Sequence, residues 1–144
     1  MSSTTVSPPL RLLAQDAEDL EVISAALQDA IAKVGDIRFE GRSRQLTVAL
    51  NRFRWEADGK QRIRAALQFG GVLSLQSRKL RRDARDAVVE LLNVAFEPGE
   101  APGGTVVLSF AGGADIKAEV ECLDAVLADV SAPWPTNTSP SHDD

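Results

Sequence analysis

The chain of 144 residues holds one histidine, one cysteine and only 5% aromatic residues, and no apolar run in it is long enough to span a bilayer. Each shortage narrows what the protein can do. The single histidine, His142, falls in a tail rich in Ser, Thr, Pro and Asp, so no Ser-His-Asp or Cys-His arrangement can be assembled in the body of the chain. One cysteine, Cys122, cannot form an internal disulfide, and no Cys/His spacing suited to zinc is present. With acidic neighbours at Glu121 and Asp124, Cys122 is expected to be buried and inert. The N-terminus lacks the charged start and apolar middle of a signal peptide, and a cytoplasmic location follows as the expectation. Gly103-Gly104 and Gly112-Gly113 lack the strand-to-helix setting of a phosphate loop, so no cofactor is expected.

What is present in quantity is charge, unevenly placed. The net charge is −5, yet Arg38 to Arg85 holds 13 Lys or Arg against 4 Asp or Glu, while the remainder holds 3 against 17. The middle is therefore +9 and the flanks −14, a separation that creates a field if the fold keeps it in space. Residues 1–9 and 131–144 have the composition of disordered ends, leaving a single domain over 10–130.

The organising stretch is Gln45 to Phe69, two long strands joined at Asp58-Gly59. On the second, Ile63, Ala65, Leu67 and Phe69 share one face; on the first, Leu46, Val48 and Leu50 share one parity while Phe53 and Trp55 take the other. A bulge near Asn51 or Arg52 would reconcile the halves. A three-residue loop then sets Trp55 opposite Ile63 and Phe53 opposite Ala65, and gathers Arg52, Arg54, Arg62 and Arg64 on one polar face beside Glu56.

Ahead of this hairpin, Leu10 to Ala14 reads as a strand and Asp16 as the N-cap of an amphipathic helix carrying Leu20, Ile23, Leu27, Ile31 and Val34, closed by Gly35. Asp36 to Glu40 is a strand, turned back by Gly41 to Arg44. Beyond Gly70-Gly71 a strand resumes with a switch of face at Val72 and Leu73, and the basic run Arg78 to Arg85 reads as a solvated loop. Asp86 to Asn93 fits a helical turn or a strand equally well. Val106, Leu108 and Phe110 match Val120, Ala118 and Ile116 across a Gly-rich loop, and Leu123, Val126, Leu127 and Val130 read as a short terminal helix. The expected fold is α+β: an antiparallel meander or partly closed barrel with an early amphipathic helix and a short C-terminal helix, an order that resembles a pleckstrin-homology-like barrel.

Four segments, ALNRFRWE (Ala49 to Glu56), RAALQF (Arg64 to Phe69), FEPGEAPGGTVVLSFAGG (Phe96 to Gly113) and VECLDAVLADV (Val120 to Val130), resemble a small alphaproteobacterial family, the domain of unknown function 2948, over Leu10 to Trp134. The resemblance implies a short, stand-alone, cytoplasmic bacterial protein with no assigned activity, and it carries over no catalytic residue.

No catalytic signature is present, and three functions remain. The first is a non-enzymatic protein-binding or adaptor module. The second is a nucleic-acid or anionic-ligand binder acting through Arg52, Arg54, Arg62, Arg64, Arg78, Lys79, Arg81 and Arg82, although no aromatic residue is interleaved with the run at 78–85. The third is an enzyme built only from Asp, Glu and Arg, for which Asp115, Glu119 and Glu121 would be the available carboxylates, or the holders of a hard cation. The acidic flanks favour the first. They also allow self-association, with the flanks of one copy meeting the middle of another; no membrane partner is expected.

Overall fold

A computed structural model describes residues 9–57 and 59–136. The expectations for residues 1–8 and 137–144, including His142, and for Asp58 in the hairpin loop lie outside the described residues. In chain order the elements are β1 (Arg11–Ala14), α1 (Ala17–Ala26), β2 (Ala30–Lys33), β3 (Ile37–Glu40), β4 (Gln45–Phe53), β5 (Gln61–Phe69), β6 (Val72–Arg78), β7 (Val88–Pro98), β8 (Gly104–Phe110), β9 (Asp115–Val120), β10 (Ala125–Asp129) and β11 (Trp134–Pro135). All strands belong to one antiparallel sheet in the order β1-β10-β5-β4-β2-β7-β8-β9-β6, with β3 also beside β4 and β11 beside β5. The sheet wraps one apolar core but does not close. Among the described residues β3 pairs only with β4 and β6 only with β9.

Alternation builds the core. Leu46, Val48 and Leu50 of β4 stand opposite Phe69, Leu67 and Ala65 of β5, and all six are fully buried. Val106 and Leu108 of β8 stand opposite Ala118 and Ile116 of β9. The parity of that second hairpin is as expected, but its register is two residues tighter, with Phe110 N donating to Ala114 O at 2.8 Å. The switch of face after Gly71 is present as a register shift between Val72 and Ser74. The ambiguous 86–93 segment resolves as the start of the long strand β7.

The helix begins as its sequence predicts. Asp16 has extended backbone and its side chain accepts from Asp19 N at 2.8 Å, while Leu20, Ile23 and Leu27 face the core. Asp16→Ala is expected to lower stability by about 1 kcal/mol, measured as a fall in the urea midpoint at unchanged slope; an unchanged midpoint would show that the cap contributes nothing. Ser24 ties the helix to β7, its Oγ donating to Asn93 Oδ1 at 3.0 Å and accepting from Val94 N at 2.9 Å.

Four expectations of local structure fail, the first and third because a distant strand outcompetes a local pattern. The helix stops at Ala26: Asp29 takes φ 62° and Ala30–Lys33 pairs with Val88–Leu91, so Ile31 and Val34 leave the helical stripe. Gly35 does not cap a helix; it lies where an added Cβ would meet Arg85 O at 3.0 Å, and its N–H donates to that oxygen at 2.8 Å. Residues 125–129 form strand β10 between β1 and β5, not a terminal helix, because two ladders are available there. That removes the feature on which the pleckstrin-homology likeness rested. Finally, β4 carries no bulge: Arg52 stands opposite Ile63 and Phe53 opposite Arg62, in a continuous register. Strand β11 pairs with the start of β5, so strand structure runs past Val130, and Cys122, expected to be buried, is exposed between β9 and β10.

Candidate functional site

The four hairpin arginines do not share a polar face. Arg52 keeps the inward parity of Leu46, Val48 and Leu50 and is fully buried. Its Nε and Nη2 donate to Asp129 Oδ1 and Oδ2, both at 2.8 Å, and its Nη1 and Nη2 donate to Glu56 Oε1 and Oε2 at 3.0 and 2.6 Å. Burial alone would push the guanidinium pKa down, and the hydrogen bonds to Glu56 and Asp129 more than reverse this, leaving it above its ordinary value. The hydrogen bond from Arg52 in turn holds the Glu56 carboxyl below its usual range, against the opposing effect of burial. Arg54 is also buried, with Nη1 donating to Gln61 Oε1 and Nε 3.9 Å from Glu56 Oε2. Arg52 and Arg54 are therefore structural, and neither can meet an anionic partner. A charge buried with its counter-ions supplies the inward turn that a bulge had been needed to avoid.

Arg62 and Arg64 lie on the opposite face. Arg62 sits 6.0 Å from the centroid of the Phe53 ring, which itself packs at 4.7 Å against Trp55. Arg64 Nη2 donates to Asp36 Oδ2 at 2.9 Å, an intermediate contact that leaves it half-exposed. In the basic run, Arg78 is held by Asp115 at 2.7 Å. Arg81, Arg82 and Arg85 are exposed and make no ion pair among the described residues.

Two of them, Arg82 and Arg85, stand at an opening that no local pattern announces. A cleft of about 410 Å³ lies where β3 and β6 face each other, floored by Ile37, Phe39, Leu75, Leu80 and Ile116, with Arg82 and Arg85 at its rim. Pairing explains the direction of these side chains. Ile37 and Phe39 stand opposite Val48 and Leu46, and Leu75 and Ser77 opposite Ala118 and Ile116, so all four point to the core side. On the far side of Gly35 and Arg85, a polar groove of about 560 Å³ adds Lys33, Asp36, Arg38, Arg64 and Asp86. Within it Arg64 pairs with Asp36, and Lys33 with Asp86 at 4.0 Å, which leaves Arg38 and Arg85 without acidic partners among the described residues. Lysine and arginine thus outnumber acids around the joined openings.

Among the described residues the carboxylates of Asp115, Glu119 and Glu121 are each paired rather than gathered. Glu119 accepts from Thr105 Oγ1 at 2.7 Å, Glu121 pairs with Arg44 at 2.8 Å, and Asp115 with Arg78. No cluster of three or more His, Cys, Asp or Glu suited to a metal ion occurs among the described residues, and no helix there is long and apolar enough to cross a membrane.

A single wrapped antiparallel sheet with one covering helix, left open along one seam rimmed by arginine, defines a small α+β protein. The chain belongs to the family described as Protein of unknown function (DUF2948), whose profile matches residues 10–142. No curated protein and no solved structure matches it.

Proposed function

We propose that the protein is a non-enzymatic adaptor of the bacterial cytoplasm that binds an acidic protein partner at the arginine-rimmed cleft. The observation that carries this reading is the coincidence of an apolar floor with Arg82 and Arg85 at its rim and no acidic residue in its lining. Apolar area provides affinity and unpaired cations select the sign of the partner. A nucleic acid is the weaker candidate: burial of Arg52 and Arg54 removes half of the cationic hairpin, and the run at 78–85 carries no aromatic residue of its own for stacking.

Capture of the tagged protein's partners from a bacterial lysate tests this, beside a variant with Arg81, Arg82 and Arg85 changed to Ala and a control with Arg62 changed to Ala. A protein band should survive nuclease, weaken with salt and vanish in the triple variant while persisting in the control. A band unaffected by the triple substitution removes the reading, and one that disappears with nuclease replaces it with the nucleic-acid reading.

A further inference from the structure

We propose that the partner enters as an extended segment that adds a strand to the free edge of β6 in the seam facing β3, apolar side chains pointing inward and acidic ones outward. This rests on the adaptor reading and specifies its occupant. Three observations converge on it. First, β6 and β3 each pair with a strand on one side only, and the seam between them is bridged just at its end, where Val72 N donates to Arg44 O at 2.9 Å, while α1 covers the sheet elsewhere, at β1 and β7. A bare strand edge is a template for another strand unless it is blunted or covered. Second, inward apolar side chains at the centre of the sheet, as at Leu46, Leu67 and Ala118, are fully buried, but those at the seam are not. There Phe39 remains 41% exposed, and Ile37, Leu75 and Leu80 are only half-buried. These four line the place that one more strand's inward side chains would fill. Third, the sign of the charge is set by Arg82 and Arg85 at the rim and by Arg38 on the outer face of β3, none with an acidic partner among the described residues. Strand addition draws its affinity from main-chain hydrogen bonds and its specificity from pockets for alternate side chains, and both are present here. A nucleic acid could satisfy the charge but supplies no backbone ladder.

The test selects a displayed library of random octapeptides on the full chain, with an R82E/R85E variant as the counter-target. Enriched sequences are then resynthesised, unmodified and N-methylated at alternate residues in either phase. Alternation of apolar with acidic residues is expected. Methylation in one phase should weaken binding roughly tenfold or more, the effect of a buried hydrogen bond left unmade, while the other phase is tolerated. Amides within 73–78 should gain protection from hydrogen exchange. Equal tolerance of both phases would overturn strand addition and leave side-chain docking of an acidic partner intact. Absence of any enrichment over the counter-target would overturn the strand proposal, and the lysate experiment would then decide the adaptor reading separately.

Discussion

Arg52→Met is expected to lower the unfolding free energy by about 3–5 kcal/mol, the effect of removing one member of a buried ion pair. Its side chain is fully buried, as is that of Asp129, which loses both bonds from the guanidinium and keeps only the one from Leu10 N at 2.8 Å. Glu56, with 39% of its side chain exposed, can turn to water and contributes little to the cost. Adding Asp129→Asn to Arg52→Met neutralises the orphaned charge while keeping an acceptor for Leu10 N, and should restore most of the loss. Urea unfolding of the two variants measures both effects, and a single variant as stable as the double would show that the pair is dispensable. The pH dependence follows from the lowered pKa of Glu56. Its carboxylate binds a proton more readily in the unfolded chain, so its contribution is complete above the ordinary glutamate range and is lost as pH falls through the lower folded value. Glu56→Gln should flatten that part of the acid limb.

The second large effect is expected at Gly104. A Cβ there would lie 2.5 Å from Glu97 O and 2.6 Å from Phe96 Cζ. The first is backbone in the β7–β8 ladder, where Pro98 stands opposite Gly104; the second belongs to a ring packed against the core. Gly104→Ala must part the ladder or displace the ring, at a cost of about 3 kcal/mol. Gly41→Ala provides the control, because nothing lies within 4 Å of its Cβ position; it should stay within about 0.5 kcal/mol of the parent. Thermal unfolding of both variants checks the contrast, and equal melting temperatures would refute it.

Local chemistry made some of this fold legible. Asp16 with its following acids marked the helix start, and strict alternation at 46–50, 63–69 and 106–120 marked strands and their inward faces. What stayed hidden depended on partners far along the chain. The spacing Leu27-Ile31-Val34 suits a helix, and pairing with β7 overrides it, turning Ala30 and Ala32 to the core in place of Ile31. The same is true of Leu123 to Val130, which β1 and β5 convert to a strand. Arg52 already carried the inward parity, but its charge argued against burial until Asp129, 77 positions later, was known to meet it. The candidate site was only partly visible. Arg82 belonged to an evident basic run, yet the cleft it borders exists because β3 and β6 fail to meet, and an unmade pairing leaves no periodic trace.

The pairing of β1 with β10 also orders events during synthesis. Leu10 and Asp129, joined at the strand end by bonds in both directions, are 119 positions apart. The first strand leaves the ribosome early, and its only strand partner emerges near the end of the described chain. Until then Leu12 and Ala14 have no sheet to join, and Arg52 has Glu56 but not the buried Asp129 as a counter-ion. Separations of this length slow folding. Arrival of Asp129 supplies the missing ladder and the buried counter-charge together, so sealing the sheet edge and completing the arginine's ion pairs become one late step.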